Sequence, residues 1–261
     1  MFKNIKSKFL RFKQVFQDGW EKFITDNPKY NTNYYATEVK KMLKCGSPAG
    51  GFMTFKCIEC GKGEHKVHLS CKGRFCPQCG KRYARECMAK IANMLFRGIS
   101  YRQVVLNMPE QFREPFSNHK NQGKLYTKYM GISHSCLLDV IREMYGSEEY
   151  KIACITFIHT HSRSGEYKPH LHIILGEGAL NILTGKWRPF KYIPMDALKL
   201  SWKKHLLSMM RKEFPELNDM LDSVDKSQPK GFYAYPGKVS DVPNKDYTGL
   251  IRYLTKYLAS P

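Results

Sequence analysis

Two short runs, KIACITFI at residues 151–158 and PHLHIIL at residues 169–175, decide the fold prediction for this chain. Both runs are rich in isoleucine and other residues that favour extended backbone. The residues between them, SRSGEYK at 162–168, are mostly polar and include a glycine, so a turn is expected there. The sequence therefore predicts an antiparallel hairpin.

Hydrophobic patterning outward from this hairpin predicts a mixture of strands and helices. YRQVVLNM at residues 101–108 predicts another strand, and GFYAY at residues 231–235 predicts a short one. Helical spacing of apolar residues predicts helices over 1–44, with a break near Asn27-Pro28, and over 82–96, 125–145, 194–214 and 246–258, whereas residues 219–230 are predicted to form a polar connection. Strands and helices that alternate irregularly around hairpins indicate the α+β class.

The charge of the chain predicts a polyanionic partner. Lys and Arg number 43 against 23 Asp and Glu, a formal net charge of +20, and such a surplus is typical of proteins that bind nucleic acid. Basic residues interrupt the apolar positions of residues 1–16, so no signal peptide is expected. No apolar run approaches the ~20 residues that span a bilayer. The sequence therefore predicts a cytoplasmic protein without a membrane partner.

Six of the nine cysteines fall between Cys45 and Cys79, which predicts a metal-binding module. In a reducing compartment, clustered cysteines bind metal more often than they form disulfides. Cys57 and Cys60 form one CxxC pair, and Cys76 and Cys79 form another, with fifteen residues between them. This spacing is typical of a structural zinc site to which each pair supplies two of four tetrahedral ligands.

The remaining cysteines and histidines of this region leave alternatives open. Cys45 and Cys71, with His65 and His68, can complete a second zinc site, or Cys71 can replace a ligand of the first. Otherwise the cysteines are packed thiols and the histidines are solvent-exposed rings. Basic residues around the CxxC pairs predict contact with a phosphate backbone: Lys56, Lys62, Lys66, Lys72, Arg74, Lys81, Arg82 and Arg85.

His170 and His172 are the candidate ligands of a catalytic metal. Alternate residues of a strand share a face, so both imidazoles are expected on one face while Leu171 lies in the opposite layer. Two histidines held in this way can chelate one divalent ion, which can polarise a scissile phosphate. His159 or His161 of the neighbouring strand is the candidate third ligand, and the choice depends on the hairpin register.

Tyr253 and Tyr257 lie four residues apart in the helix predicted over 246–258, and therefore on one helical face. A tyrosine hydroxyl with a pKa near 10 is ionised to only about 0.1% at pH 7, so it is a weak nucleophile on its own. A phosphate polarised by the metal, or a cation such as Lys256 or Arg252, would compensate. The two tyrosines are the candidate catalytic nucleophiles.

These motifs, in this order, resemble those of the two-tyrosine rolling-circle transposases of bacterial insertion sequences. Cys45, the Cys57/Cys60 pair and SCKGRFCPQC at residues 70–79 resemble the N-terminal zinc-binding domain of that family. PHLH at residues 169–172 resembles its HUH motif (histidine, hydrophobic residue, histidine), and Tyr253 with Tyr257 resembles its two-tyrosine motif. The family usually has a histidine where this chain has Phe75.

The resemblance implies an HUH-type antiparallel sheet with helices, preceded by a small helical zinc-binding module. The expected domains are residues 1–90 for the helical and zinc-binding module and residues 91–261 for the HUH endonuclease. Relatives generally continue beyond the tyrosine helix, so the alternatives for this chain are a C-terminally truncated copy, a fragment and a short form.

The resemblance also implies a reaction. The enzyme would cut single-stranded DNA at an element end with Mg²⁺ or Mn²⁺ on the two histidines. It would join one tyrosine to the 5′-phosphate, and the second tyrosine would serve a second cleavage or the strand transfer. The implied activity is DNA transposition, a form of DNA recombination.

Two other functions are compatible with these residues. A plasmid replication initiator or a relaxase of the HUH class would use the same chemistry, although the zinc module favours a transposase. A non-catalytic zinc-ribbon protein that binds nucleic acid would use the histidines and tyrosines only as structural residues.

Overall fold

The structure is a computed structural model that describes residues 2–73, 75–162 and 164–237. The described residues form two compact units, one that ends at Leu95 and one that begins at Phe96. The helix predicted over 246–258, with Tyr253 and Tyr257, lies outside the described residues. Within these ranges, each helix is too short or too polar to cross a bilayer.

Three α-helices form most of the first unit: α1 (Phe2–Asp26), α2 (Asn33–Lys44) and α3 (Pro77–Met94). The predicted break after α1 is confirmed, because Pro28 follows and starts a separate short turn. The Thr32 side chain caps α2 by accepting a hydrogen bond from the Tyr35 N–H. The buried ammonium of Lys13 donates to the carbonyls of Leu43 and Cys45, at 2.8 and 2.7 Å, and so fastens α1 to the end of α2.

A two-stranded antiparallel ribbon, β1 (Phe52–Lys56) and β2 (Glu64–His68), connects α2 to α3. Every residue of both strands is exposed. No pattern in the sequence predicts this ribbon. Alternation of apolar and polar residues indicates strands with one buried face, and neither face of this ribbon is buried.

A five-stranded antiparallel sheet is the centre of the second unit. Its strands are β3 (Tyr101–Asn107), β4 (Tyr150–His161), β5 (Tyr167–Asn181), β6 (Trp187–Pro189) and β7 (Ala234–Tyr235). The order is β4-β5-β3-β7, with β6 paired to β5. The predicted hairpin is confirmed as β4 and β5, and with the helices around it the α+β class is confirmed.

Helices cover one face of this sheet: α4 (Arg113–Asn118), α5 (Gln122–Tyr145), α6 (Met195–Glu213) and α7 (Asn218–Ser227). Leu171 and Ile173 of β5 are fully buried in one cluster with Leu137 of α5 and Trp202 of α6. The Trp202 indole N–H also donates to the Asn107 carbonyl at 2.7 Å. The odd-numbered residues Leu171 and Ile173 of β5 therefore lie on the face of the sheet that the helices cover.

Helix α7 differs from the polar connection predicted for residues 219–230. Leu221 and Val224, three residues apart, are both buried against the core. Three apolar residues, Met220, Leu221 and Val224, in a polar stretch are too weak a pattern to predict a helix, and packing onto the core stabilises it instead.

We expect Leu171→Ala to lower the free energy of unfolding of the second unit by about 2–5 kcal/mol, because it leaves a cavity in a fully buried site. The control Leu183→Ala, at a side chain 76% exposed, should change it by less than about 0.5 kcal/mol. The measurement is urea unfolding followed by Trp202 fluorescence with Trp20 and Trp187 replaced by phenylalanine. Equal losses in the two variants would contradict the assignment of the core face.

Candidate active site and zinc cluster

Three histidines meet on the sheet face opposite the helices. His170 and His172 alternate along β5, and His159 of β4 lies directly across from His170. The ring centroids are 4.5 Å apart for His159 and His172, 5.0 Å for His170 and His172, and 5.3 Å for His159 and His170. One ring nitrogen from each lies within 4.8 Å of the others, so the three could hold one metal ion.

A β-bulge determines which histidine of β4 joins this group. The register shifts between His159 and His161, so His161 lies opposite Tyr167. Tyr167 is three residues before His170 and therefore belongs to the other face of β5. His161 is exposed, and its Nδ1 lies 2.9 Å from the Thr160 hydroxyl. The choice that the sequence left open thus falls on His159.

The electrostatics of the group favour a neutral His172 ring, the form that can bind metal. Partial burial, with a smaller contribution from the neighbouring His159 and His170, lowers the pKa of His172 to about 3. The Nδ1 of His170 lies 2.7 Å from the Lys168 carbonyl oxygen, and the Nδ1 of His172 lies 2.6 Å from the Gln103 amide. Both rings are therefore held through Nδ1. The Lys168 carbonyl directs Nε2 of His170 to a ligand, whereas the Gln103 amide is compatible with either tautomer of His172.

The neighbours on this face are mixed in polarity. Asn107 of β3 lies opposite His170, and Val105 of β3 and Phe157 of β4 lie on either side of His172. All three are half-buried. An open face with a few polar groups among apolar ones is a suitable setting for the backbone and bases of a nucleic acid.

Four cysteines form a second cluster, in the first unit. Cys45 follows α2, Cys71 and Cys76 precede α3, and Cys79 lies in the first turn of α3. The Sγ of Cys79 is 3.7 Å from that of Cys45 and 3.6 Å from that of Cys71. A tetrahedral zinc with bonds of about 2.3 Å places its sulfurs about 3.8 Å apart, so the cluster fits this ion.

This set differs from the predicted zinc ligands. The structure keeps Cys76 and Cys79 but joins them to Cys45 and Cys71, and Cys57 and Cys60 are not members of the group. Both lie exposed in the turn between β1 and β2. The spacing of the two CxxC pairs is compatible with one shared ion, but the exposed ribbon extends the first pair away from the buried thiols.

Backbone hydrogen bonds and burial both act on the thiols of this cluster. The Gly73 N–H donates to the Cys71 Sγ at 3.3 Å, and the Cys71 N–H donates to the Cys45 Sγ at 3.4 Å. Burial raises the pKa of Cys76 to about 11 and that of Cys71 further. The thiols of Cys71 and Cys76 are therefore protonated without an ion, and a bound metal would stabilise their thiolates. Phe75, which stands where the family usually has histidine, packs against this cluster.

Sequence reasoning missed one residue of the histidine site. Gln103 lies in a strand predicted from its apolar residues, and its amide contacts His172. The available signal was its polarity, since it shares a strand face with Val105 and Asn107 of YRQVVLNM. That signal has no meaning until the pairing of β3 with β5 is known.

Two family models match the chain. One, described as a transposase zinc-binding domain, matches residues 15–108, and one described as a putative transposase matches residues 153–261. No curated protein and no solved structure gives a significant match. The cysteine cluster thus lies in the region that matches a zinc-binding domain, and the histidine group lies in the region that matches a transposase domain. Both matches are to transposase families, as the sequence motifs predicted, and they support an enzymatic role in the processing of DNA.

We expect Cys45→Ser and Cys71→Ser each to remove the zinc of the cluster, because three thiolates leave one tetrahedral position without its ligand. Cys57→Ser, the matched control in the exposed turn, should retain that zinc. Metal content measured by plasma mass spectrometry on the purified variants distinguishes them. Loss of the same zinc in Cys57→Ser, with retention in Cys45→Ser, would restore the pairing predicted from the sequence.

We expect the His172 ring to stay neutral from pH 8 to pH 5 in the folded, metal-free protein, because its pKa is about 3. In the unfolded chain a histidine titrates near 6.5. The unfolded state therefore takes up the proton first, and the contribution of this ring to stability decreases as the pH falls below about 6.5. The measurement is an NMR titration of the ring protons, with the urea-unfolded protein as the control. A folded-state midpoint near 6.5 would contradict the buried, crowded site.

Proposed function

We propose that this transposase is an HUH endonuclease that cuts single-stranded DNA and forms a 5′-phosphotyrosine intermediate. The convergence of His159, His170 and His172 on one face of the sheet is the observation that supports the proposal most strongly. Three nearby imidazoles held by paired strands are more than the fold needs, because the core lies on the opposite face.

The three histidines would hold a divalent ion through one ring nitrogen each. An ion bound there would polarise the scissile phosphate and offset the charge of the transition state. Both Mg²⁺ and Mn²⁺ prefer oxygen ligands, but Mn²⁺ is a first-row transition ion that also binds sites with nitrogen ligands. We therefore expect Mn²⁺ to support stronger cleavage than Mg²⁺.

Tyr253 and Tyr257 are the proposed nucleophiles, on the basis of their one-turn spacing and of the family match over residues 153–261. In the proposed step a tyrosine oxygen attacks the phosphorus and loses its proton. The bond from phosphorus to the 3′-oxygen breaks, and that oxygen takes up a proton to leave a free 3′-hydroxyl. The 5′-phosphotyrosine conserves a phosphodiester, so a 3′-hydroxyl can later reverse the step.

The exposed ribbon β1–β2 is the proposed contact with the DNA substrate. Lys56 and Lys66 share one face with Phe52, and the Lys66 ammonium lies 5.2 Å from the Phe52 ring centroid. Lysines neutralise phosphates, and exposed aromatic rings stack on unpaired bases. The formal charge of +20 supports the same partner, which we take to be single-stranded DNA at the ends of the element. We propose that the reaction takes place in the cytoplasm, because thiols stay reduced there and can bind zinc.

A covalent adduct tests the catalytic proposal. We expect the full chain, mixed with a random-sequence pool of labelled single-stranded DNA and Mn²⁺, to give a protein–DNA species that resists SDS. His170→Ala and His172→Ala should each reduce adduct formation at least about 100-fold, as expected for loss of a metal ligand. His161→Ala, on the other face of the same hairpin, is the matched control and should act normally. Normal cutting by either alanine variant of β5 would contradict the metal assignment.

The tyrosines are tested with the same adduct assay. Tyr253→Phe and Tyr257→Phe should each block one cleavage or joining step, and the double variant should form no adduct, because no phenolic oxygen remains to attack. Tyr247→Phe is the matched control. Salt-dependent DNA binding should persist in all of them. Binding without an adduct in the wild-type chain would favour the non-catalytic alternative.

A further inference from the structure

The Nδ1 atoms of His170 and His172 are hydrogen-bonded to different kinds of group. His170 Nδ1 lies 2.7 Å from the carbonyl oxygen of Lys168. A backbone carbonyl can only accept, so the His170 proton must sit on Nδ1, and its Nε2 keeps a lone pair. The backbone itself therefore sets the metal-binding tautomer of His170.

His172 depends on a side chain for the same purpose. Its Nδ1 lies 2.6 Å from the amide nitrogen of Gln103, which projects from the diagonal position on β3, since Val105 is the residue opposite His172. A primary amide carries both a donor and an acceptor, and half a turn about its last torsion exchanges them. Gln103 can therefore satisfy either tautomer of His172.

Only one of the two amide orientations is compatible with a metal on Nε2. When the amide nitrogen donates to Nδ1, the single proton of the neutral ring sits on Nε2 and blocks coordination. When the amide oxygen accepts from an Nδ1 proton, the Nε2 lone pair is available. The contact is partly buried, which limits the ability of water to replace it.

We propose that Gln103 is a positioning residue that controls the tautomer of His172. The amide nitrogen faces Nδ1 in the structure, and the half turn that brings the amide oxygen to Nδ1 selects the metal-binding tautomer. The proposal rests on the proposed metal-dependent function of the histidine group. It assigns to β3, a strand without a metal ligand of its own among the described residues, control over the affinity of the site.

Two substitutions separate this role from simple packing. Gln103→Met keeps the length and removes both hydrogen-bonding groups, whereas Gln103→Glu keeps the length and provides only acceptors. In metal-free protein at pH 8, ¹⁵N NMR of the ring nitrogens should show His172 protonated at Nδ1 in Gln103→Glu and mainly at Nε2 in Gln103→Met. His170 is the internal reference and should be protonated at Nδ1 in every variant.

The affinity for Mn²⁺, measured by calorimetry, is the second readout. Gln103→Met should bind about 10–100-fold more weakly than the wild type, and Gln103→Glu should restore the affinity. Circular dichroism establishes that both variants are folded. An unchanged affinity in Gln103→Met, or the same His172 tautomer in both variants, would overturn the proposal.

The outcome is independent of whether DNA is cut. If Mn²⁺ affinity follows Gln103 and no adduct forms, the nuclease proposal fails and the tautomer proposal stands. If the adduct forms normally in Gln103→Met, with wild-type affinity for Mn²⁺, the tautomer proposal alone fails.

Discussion

The pairing of β4 with β5 is the constraint on which the second unit depends. His159 lies opposite His170, and the alternation of β5 places Leu171 and Ile173 on the other face. A slip of one residue would turn the histidines into the helical core and expose the apolar side chains to solvent. Burial of the apolar face therefore fixes the register, and the register in turn assembles the histidine group.

The two clusters are built on different physical grounds. The histidines lie on paired strands supported by a large core, so their positions are set before any ion binds. The four cysteines come from the end of α2, the loop before α3 and its first turn, around a core that includes Met42. A structural zinc bound by these thiols would add to the stability of the unit. The match to a zinc-binding domain agrees with this role.

Local sequence could predict the hairpin, the long helices and the two-residue spacing of His170 and His172, because each depends on the periodicity of neighbouring residues. It could not select His159 over His161, since that choice depends on a bulge that sequence does not mark. The four-thiol cluster differs from the predicted zinc ligands for a related reason. CxxC spacing shows which cysteines can bind a metal, whereas the direction of the exposed ribbon keeps Cys57 and Cys60 out of the group that Cys45, Cys71, Cys76 and Cys79 form. Gln103 required the pairing of β3 with β5.

In the proposed catalytic centre, three imidazoles on the open face of the sheet hold one divalent ion. Pulsed electron paramagnetic resonance of the Mn²⁺-loaded chain, with ¹⁵N-labelled histidine, measures the coupling of the metal to ring nitrogens. We expect coupling to three histidine nitrogens, with one coupling lost in His159→Ala and none lost in His161→Ala. A spectrum of fully hydrated Mn²⁺ without nitrogen coupling, or one unchanged by His159→Ala, would contradict it.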